Sequence, residues 1–296
     1  MLALDDTLRP QDAVLLRPIG RADFPAVGRF LHTHLNPRLT PERWAAAMQP
    51  GWEHDGPNHG FILTYRDAIV GAQLAFYSER PGANGPVRLC NVAALCVLPA
   101  HRAHSLRLLK ALLSQPGYSF TDLSPSGNVR PLNLRLGFHV LDTTTALVVN
   151  GLAMLSPRRM QLITDEAVIA ATYCGPGFKV FSDHRRALAA HHLLLVQGAR
   201  QCHIIYRRDR RKNLPLFATI LHVSDPELFA RGRGQVFRHL LLRHGIFFAL
   251  LELRLVRYRP RLSILLRGHR PKMFRSAELD ADAIDYLYSE LTCVAW

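Results

Sequence analysis

Residues 89–113 read LCNVAALCVLPAHRAHSLRLLKALL, and this stretch decides the fold. It begins as an apolar strand that ends at Val97-Leu98-Pro99. A basic turn from His101 to Ser105 follows, and apolar residues then recur at helical spacing as far as Leu113. The stretch therefore predicts a strand that delivers the chain, through a basic turn, into an amphipathic helix.

The residues on both sides extend this pattern into an α/β unit. Upstream, the pattern predicts a strand and two helices, followed by strands at 61–65, 69–77 and 87–97. Downstream, it predicts a strand at 118–122, a helix at 129–136, and a strand from Phe138 to Val149 that follows Gly137. The unit is expected to close near residue 150.

The remainder of the chain repeats this order more loosely. Three strands, a helix and an apolar strand are predicted at residues 192–197, 201–207, 216–223, 225–244 and 247–256. Residues 277–291 are expected to end in a helix. The sequence therefore predicts an α/β protein of two related domains, residues 1–150 and 151–296, the second strongly basic.

Two segments of the first half resemble the motifs of the GNAT superfamily of acyl-CoA-dependent N-acyltransferases. That family has a Val-x-Pro and then Gln/Arg-x-x-Gly-x-Gly/Ala; here Val97-Leu98-Pro99 precedes Arg102-Ala103-His104-Ser105-Leu106-Arg107. The Arg matches, whereas Ser105 and Arg107 replace the glycines. The family also has a Tyr four residues before a Gly-Phe pair, and Asn133 occupies that position.

The resemblance implies two GNAT-like domains in tandem, each a mixed, mostly antiparallel sheet flanked by helices. It further implies direct transfer of an acetyl or other acyl group from acetyl-CoA or another acyl-CoA to an amine on a small molecule or a protein. The diphosphate of the cofactor would bind at a helix N-terminus, where backbone N–H groups are unpaired. The residues expected to bind it are Val97, Arg102, Ala103, His104, Ser105, Leu106 and Arg107, or Gly232 and Gly234 of Gly-x-Gly in the second half.

Three residues are candidates for proton transfer or for stabilising the leaving group. Asn133 can donate a hydrogen bond to sulfur but cannot act as an acid near neutral pH. Glu79 is the nearest acidic residue before the strand 87–97. Glu252 lies in an apolar strand, where a carboxylate is either paired with Arg254 or Arg257 or functional. Which half is catalytic, and the oligomeric state, are left open by the sequence.

Composition and charge limit the other functions that the chain can have. The chain has 296 residues, with five Cys that show no C-x-x-C spacing, and no metal site is expected among its 15 His. It lacks a long apolar span and an apparent secretory signal, which predicts a cytoplasmic protein with no membrane partner. Its net charge of +14 divides into +3 for residues 1–150 and +11 for residues 151–296. Two rivals stay open: a non-catalytic acyl-CoA-binding protein, and a nucleic-acid-associated basic protein, which is not favoured.

Overall fold

Two seven-stranded mixed sheets flanked by helices make up the computed structural model of the protein. The structure describes residues 13–82, 85–151, 160–175, 177–211, 214–268 and 270–295. Each sheet contains one parallel pair of neighbouring strands, and its other pairs are antiparallel. The α/β fold class with two such domains is therefore confirmed.

The first sheet has the strand order β1-β2-β3-β4-β5-β14-β6. Its strands and helices within the first half are β1 (Leu15–Pro18), α1 (Phe24–His34), α2 (Pro41–Ala47), β2 (Gly60–Tyr65), β3 (Ala68–Gly82), β4 (Gly85–Val97), α3 (Ser105–Leu113), β5 (Ser119–Asp122), α4 (Val129–Arg135) and β6 (His139–Val140).

The second sheet has the order β13-β7-β12-β11-β10-β9-β8. The elements from residue 145 onward are β7 (Thr145–Val149), β8 (Gln161–Ile163), α5 (Glu166–Thr172), α6 (Phe178–His184), β9 (His191–Gln197), β10 (Arg200–Arg211), β11 (Leu214–Val223), α7 (Pro226–His244), β12 (Phe248–Glu252), α8 (Leu253–Val256), β13 (Ile264–Leu266), β14 (Met273–Arg275) and α9 (Glu290–Cys293).

Helix ends follow from capping residues that the sequence makes visible. Thr40 accepts a hydrogen bond from the backbone N–H of Arg43 and Pro41 opens α2, as the sequence predicts. Asp225 accepts from the N–H of Leu228 at the start of α7. Gly245 ends α7 in the left-handed region, with φ 61°, where an L side chain is strained.

The two sheets exchange one strand each. Strand β7 lies between β12 and β13 in the second sheet, whereas β14, near the C-terminus, lies between β5 and β6 in the first. Met273 pairs with both Asp122 and Val140, so β14 is what joins β6 to the first sheet. The division between the sheets therefore does not coincide with the expected domain boundary after residue 150.

Three predicted elements differ in the structure. The predicted strand 138–149 is two strands in different sheets, because Asp142 accepts a hydrogen bond from the N–H of Thr144 and turns the chain. The predicted strand 247–256 ends at Glu252 and continues as the short helix α8. The predicted C-terminal helix shrinks to Glu290–Cys293, since Tyr288 has a φ of 56° that no helix accommodates.

The largest hydrophobic core is built by both halves. It combines residues of α1, α2 and the first sheet with Ile205 and Leu221 of the second sheet and with the C-terminal segment around Tyr286 and Leu291. Arg80 of β3 also forms a partly buried ion pair with Asp285 of that segment, with 2.7 Å between Nη2 and Oδ1. The halves therefore share one core.

Histidines connect helix α6 with the second sheet, because Nε2 of His192 lies 3.1 Å from the carbonyl oxygen of His184. The rings of His192 and His203 stack, with 3.0 Å between Nδ1 and Nε2, and His184 accepts a hydrogen bond from the N–H of Tyr288. Burial lowers the pKa of His184 and His192 to about 4 and that of His203 to about 2. It also lowers the pKa of His191 to about 4.

We expect acid to destabilise the protein through these four histidines. An unfolded chain binds protons on them below pH about 6.5. The folded chain takes up three of these protons only near pH 4 and the one on His203 only near pH 2, so the free energy of unfolding falls as the pH drops below about 6.5. Burial raises the pKa of Asp122 to about 6 and that of Glu290 to about 8, which offsets about two of the four protons. For these six groups together, the free energy of unfolding should fall by about 2 to 3 kcal/mol per pH unit on acidification, which urea unfolding between pH 6.5 and 5 can measure.

The variant Glu290→Gln provides the matched control for this pH dependence. It removes one offsetting proton, so its stability should fall more steeply on the acid side, by about 1.4 kcal/mol per pH unit. A free energy of unfolding that stays constant or rises from pH 6.5 to 5 would contradict the expectation.

Candidate functional site

Strands β4 and β5 separate after a short parallel pairing. They pair from Leu89–Ser119 to Asn91–Thr121. Beyond that point β4 carries a bulge, because Ala93 pairs with Leu74 and Cys96 with Ala72, so that two residues of β4 oppose Gln73. Ala94 in the bulge has a φ of 52°. A bulge bends its strand, and a cleft therefore opens between β4 and β5.

A cavity of about 480 Å³ fills this cleft and extends to the second sheet. On one side it is lined by residues 92–95 of β4 and 122–126 at the end of β5, and on the other by residues of β10, β11 and β12. In the second sheet, β11 and β12 also pair in parallel only from Phe217–Phe248 to Thr219–Leu250. Both points of strand separation thus face one shared cavity, of a size typical for ligand pockets.

Two carboxyl groups lie on the first-half side of the cavity, that of Asp122 in the lining and that of Glu290 behind it. Asp122 lines it and accepts a hydrogen bond of 2.8 Å from the amide of Asn133. Burial raises the pKa of Asp122 to about 6, although the Asn133 hydrogen bond acts in the opposite direction. Ser124, also in the lining, donates to Glu290 at 2.9 Å. Burial, and then the negative charge of Asp122, raises the pKa of Glu290 to about 8.

Glu252 lies at the second-half wall in a network of charges. Its carboxylate accepts a hydrogen bond from Lys272 at 2.7 Å and another from the hydroxyl of Tyr286, and it lies 3.5 Å from Nε of Arg254. Burial lowers the pKa of Lys272 to about 8, whereas the charge of Glu252 acts to raise it. Glu252 and Lys272 both line the cavity.

A second ion-pair network lies beside it. Nε of Arg207 is 3.0 Å from Asp209, and both side chains are buried. Asp209 also accepts hydrogen bonds from Thr219 and, at 3.2 Å, from Nη1 of Arg270. Arg207, Thr219 and Arg270 line the cavity.

The segment expected to bind a diphosphate does not form an open loop. Val97 ends β4, and Pro99–His104 form a 3₁₀ helix that runs directly into Ser105 at the start of α3. Backbone N–H groups of such a turn bond to carbonyls three residues earlier, as His101 does to Leu98 at 2.9 Å. The backbone amides of this turn are therefore used within the helix, and binding of the cofactor's diphosphate at this helix N-terminus stays a prediction.

The side chains of that segment still present positive charge at the helix N-terminus. Arg102 is exposed, as are Ala103 and Arg107, while His104, Ser105 and Leu106 are partly buried. Arg107 donates to the carbonyl of Val14 at 2.9 Å and lies 3.3 Å from Nδ1 of His104. Among the described residues, Arg102 is thus the exposed cation of the predicted set whose side chain forms no hydrogen bond or ion pair with another side chain or carbonyl.

The glycine motif of the second half lies inside a helix. Gly232 and Gly234 are buried in the middle of α7, where their amides belong to helical hydrogen bonds. A Cβ on Gly232 would lie 2.4 Å from the sulfur of Met160 and 2.7 Å from Leu195. Gly232 therefore allows close packing of α7, and this placement corrects the expectation of a phosphate loop there.

The three candidate proton-transfer residues have different positions. Glu79 lies on β3, opposite Arg88 of β4 in the strand pairing, whereas the sequence predicted a loop. It is exposed and is not among the residues that line the cavity. Asn133 is buried behind Asp122. Glu252 lines the cavity, paired with Arg254 as the sequence suggested and also with Lys272.

Sequence reasoning missed Asp122, Glu290, Lys272 and Arg207 as candidates. One signal for Asp122 was available, since it is the acidic residue at the end of the strand that follows the predicted nucleotide-binding helix. Glu290 is held by Ser124, which lies 166 residues earlier in the chain, so no local pattern marks it. Arg207 and Lys272 pair with Asp209 and Glu252, but the sequence does not indicate that they reach the cavity. Within the described ranges, no group of three or more His, Cys, Asp or Glu is arranged to hold a metal ion.

Comparisons with known proteins identify this fold. No family sequence model and no curated protein matches the chain. A GCN5-related N-acetyltransferase from Anabaena variabilis is similar in structure, with a TM-score of 0.59 and 10% identity, over 89% of this chain and 72% of that one. A GCN5-related N-acetyltransferase from Kribbella flavida has a TM-score of 0.57 and 15% identity, over 92% and 73%. A protein from Pyrococcus horikoshii that carries an acetyltransferase assignment has a TM-score of 0.56 and 12% identity, over 99% of both chains.

These likenesses show which fold the chain has. The chain has the fold of the GCN5-related N-acetyltransferases, as the motifs around Val97 and Gly137 indicated. Within the part of the chain that the structure describes, no helix combines the length and the apolar character needed to cross a bilayer.

Proposed function

We propose that the protein transfers an acyl group from an acyl-CoA to an amine. The observation that supports this most is the cavity at the separation of β4 and β5, in a fold shared with GCN5-related N-acetyltransferases. A turnover assay with acetyl-CoA and a panel of amines tests it, because transfer releases a free thiol. Binding of acetyl-CoA without thiol release would favour the non-catalytic alternative.

The chemistry of the cavity fits the acyl-pantetheine arm of such a donor. Gln73 lines the cavity, and its side-chain oxygen is buried and has no hydrogen-bond partner among the described residues. A buried acceptor without a donor is costly, and the amide N–H groups of a pantetheine arm would supply one. The donor provides the acyl group as a thioester, which an amine attacks directly.

The first half is the half suited to the donor. At the N-terminus of α3, His101, Arg102 and His104 are basic, and no side chain caps the helix. At the N-terminus of α7, Asp225 occupies the free amides, and Glu227 adds a second negative charge. A diphosphate is attracted to the first helix end and repelled by the second.

Arg102 gives this assignment a test. The backbone amides of the 3₁₀ helix are engaged in its own hydrogen bonds, so side chains must hold the diphosphate. We therefore expect Arg102→Ala to weaken acyl-CoA binding roughly 5- to 150-fold, corresponding to about 1 to 3 kcal/mol. Titration calorimetry with acetyl-CoA measures it. The exposed Arg231 on α7 is the matched control, and Arg231→Ala should leave the affinity unchanged. Equal affinities for wild type and Arg102→Ala would remove the first-half site.

Asp122 is the proposed general base. It lines the cavity, and a carboxyl group with a pKa of about 6 is ionised at neutral pH while remaining basic enough to accept a proton. During transfer the amine nitrogen bonds to the acyl carbon, the carbon–sulfur bond breaks, the thiolate leaves and the amine proton passes to Asp122. Asn133 holds the Asp122 carboxylate and is therefore a positioning residue in this proposal.

A further inference from the structure

The wall of the cavity that the second half provides is cationic. It is lined by Arg207 of β10 and by Arg270 and Lys272, which both precede β14. Arg207 and Lys272 are buried, whereas the side chain of Arg270 is 45% exposed. The facing part of the lining is formed by Asp122 and Ser124 of the first half. Glu290 of the C-terminal segment lies behind Ser124.

The carboxylates on this wall balance only part of its positive charge. Asp209 is shared by Arg207 at 3.0 Å and Arg270 at 3.2 Å. Glu252 is shared by Lys272 at 2.7 Å and Arg254 at 3.5 Å. Each of these two carboxylates therefore serves two cations. The buried Arg207 and Lys272 are each matched by one of these carboxylates, so the excess positive charge lies on the partly exposed Arg270 and on Arg254. An anion that enters the cavity is attracted by this excess and can bond to Arg270.

The position of the excess charge indicates which reactant carries the anion. The donor is proposed to enter between β4 and β5 of the first half, whereas every cation of this wall comes from the second half. A group that reaches Arg207, Arg270 and Lys272 while its amine faces Asp122 belongs to the acceptor. Arginine pairs well with a carboxylate, because its planar fork donates two parallel hydrogen bonds.

We propose that the acceptor is a small amine that also carries a carboxylate, as an amino acid does, and that Arg207, Arg270 and Lys272 of the second half bind this carboxylate. The inference rests on the proposed acyl transfer and adds the acceptor class to it. It also gives the second half a role, since that half supplies the acceptor-binding wall of a site whose base lies in the first half.

The test compares free amino acids with their own carboxamides as acceptors of acetyl-CoA. The wild-type protein should favour the carboxylate by at least tenfold in kcat/KM. Arg270→Gln should reduce that preference about tenfold, chiefly by raising KM for the amino acids. Arg270 is the suitable position because it is partly exposed, whereas loss of Arg207 would leave the buried Asp209 with one partner fewer. The exposed Arg261 is the control, and Arg261→Gln should retain the full preference.

The outcomes separate this inference from the acyl transfer on which it rests. Equal use of amino acids and carboxamides, with thiol released from both, overturns the acceptor class and leaves the transfer in place. A preference for succinyl-CoA over acetyl-CoA with neutral amines that Arg270→Gln abolishes assigns the carboxylate to the acyl group and also overturns it.

A binding measurement tests the cationic wall without turnover. We expect N-acetylglycine, which carries the carboxylate but no reactive amine, to bind the wild-type protein in calorimetry and to bind Arg270→Gln about tenfold more weakly. Equal binding to both proteins, or to neither, overturns the carboxylate site. Weakened binding together with no acetyl-CoA binding supports the carboxylate site and refutes acyl transfer.

Discussion

A chain that ends after residue 150 is expected not to fold, although its elements follow the order of a complete α/β unit. Without β14, β6 loses the strand that joins it to the first sheet, and β5 becomes an unprotected edge. Strand β7 also loses both of its neighbours, β12 and β13.

The apolar surface lost in this truncation is comparable with the stability of a whole domain. The shared core loses buried side chains of the second half, among them Phe274, Ile284, Tyr286 and Leu291. At about 2 kcal/mol for each, these four contribute about 8 kcal/mol, against a net stability of about 5 to 15 kcal/mol for a typical domain.

Circular dichroism and urea unfolding of residues 1–150 and 151–296, separately and together, measure the effect. Each fragment alone should lack a cooperative transition, and the two expressed together should recover one by forming both mixed sheets. The matched control is a chain of residues 13–296, which keeps every described strand and should unfold cooperatively. A monomeric 1–150 fragment with a cooperative transition would contradict the expectation and imply that β7 takes the place of β14.

Local patterns predicted most elements of the first half, and the reason is visible around β4 and α3. The apolar run to Val97, the Pro after it and the spacing of Leu108, Leu109 and Leu112 are all signals within a few residues. The exchange of β7 and β14 has no such signal. Strand β14 is only three residues long, and its place between β5 and β6 is set by pairing with residues 133 to 155 positions earlier.

The candidate site was predicted in part for the same reason. The motif position of Asn133 led to the right helix, but the group that lines the cavity is its hydrogen-bond partner Asp122. Gly232 was misinterpreted because a Gly-x-Gly looks the same in a phosphate loop and in a helix packed closely against Met160. Glu252 was expected to be paired or functional, and the structure gives it ion pairs at the wall of the cavity.

Replacing Asp122 by Asn should abolish most turnover. If Asp122 removes the proton of the attacking amine, Asp122→Asn lowers kcat by about 10²- to 10⁴-fold and leaves acetyl-CoA affinity unchanged in calorimetry, because the substituted group is similar in shape. In the wild-type protein, kcat/KM should fall tenfold per pH unit below the Asp122 pKa of about 6. The exposed turn residue Asp67 gives the matched control, and Asp67→Asn should keep both kcat and the pH profile.

The variant Asn133→Ala tests whether Asp122 acts as the base or only supports the fold. The Asn133 hydrogen bond lowers the pKa of Asp122, so its removal should move the acid limb of kcat/KM to higher pH while activity above pH 8 is largely retained. An acid limb that does not move in Asn133→Ala, or wild-type turnover in Asp122→Asn, would show that another group accepts the proton.

Glu290 is the other carboxyl group near the cavity that could act as the base, but its position and its pKa argue against that role. Its carboxyl group lies behind Ser124 instead of in the cavity lining, and with a pKa of about 8 it holds a proton at neutral pH. A protonated acid cannot accept the proton of the amine. Glu290→Gln replaces a neutral group by a neutral group of similar shape, so turnover near pH 7 should change less than about threefold. A loss as large as that of Asp122→Asn would transfer the role of base to Glu290.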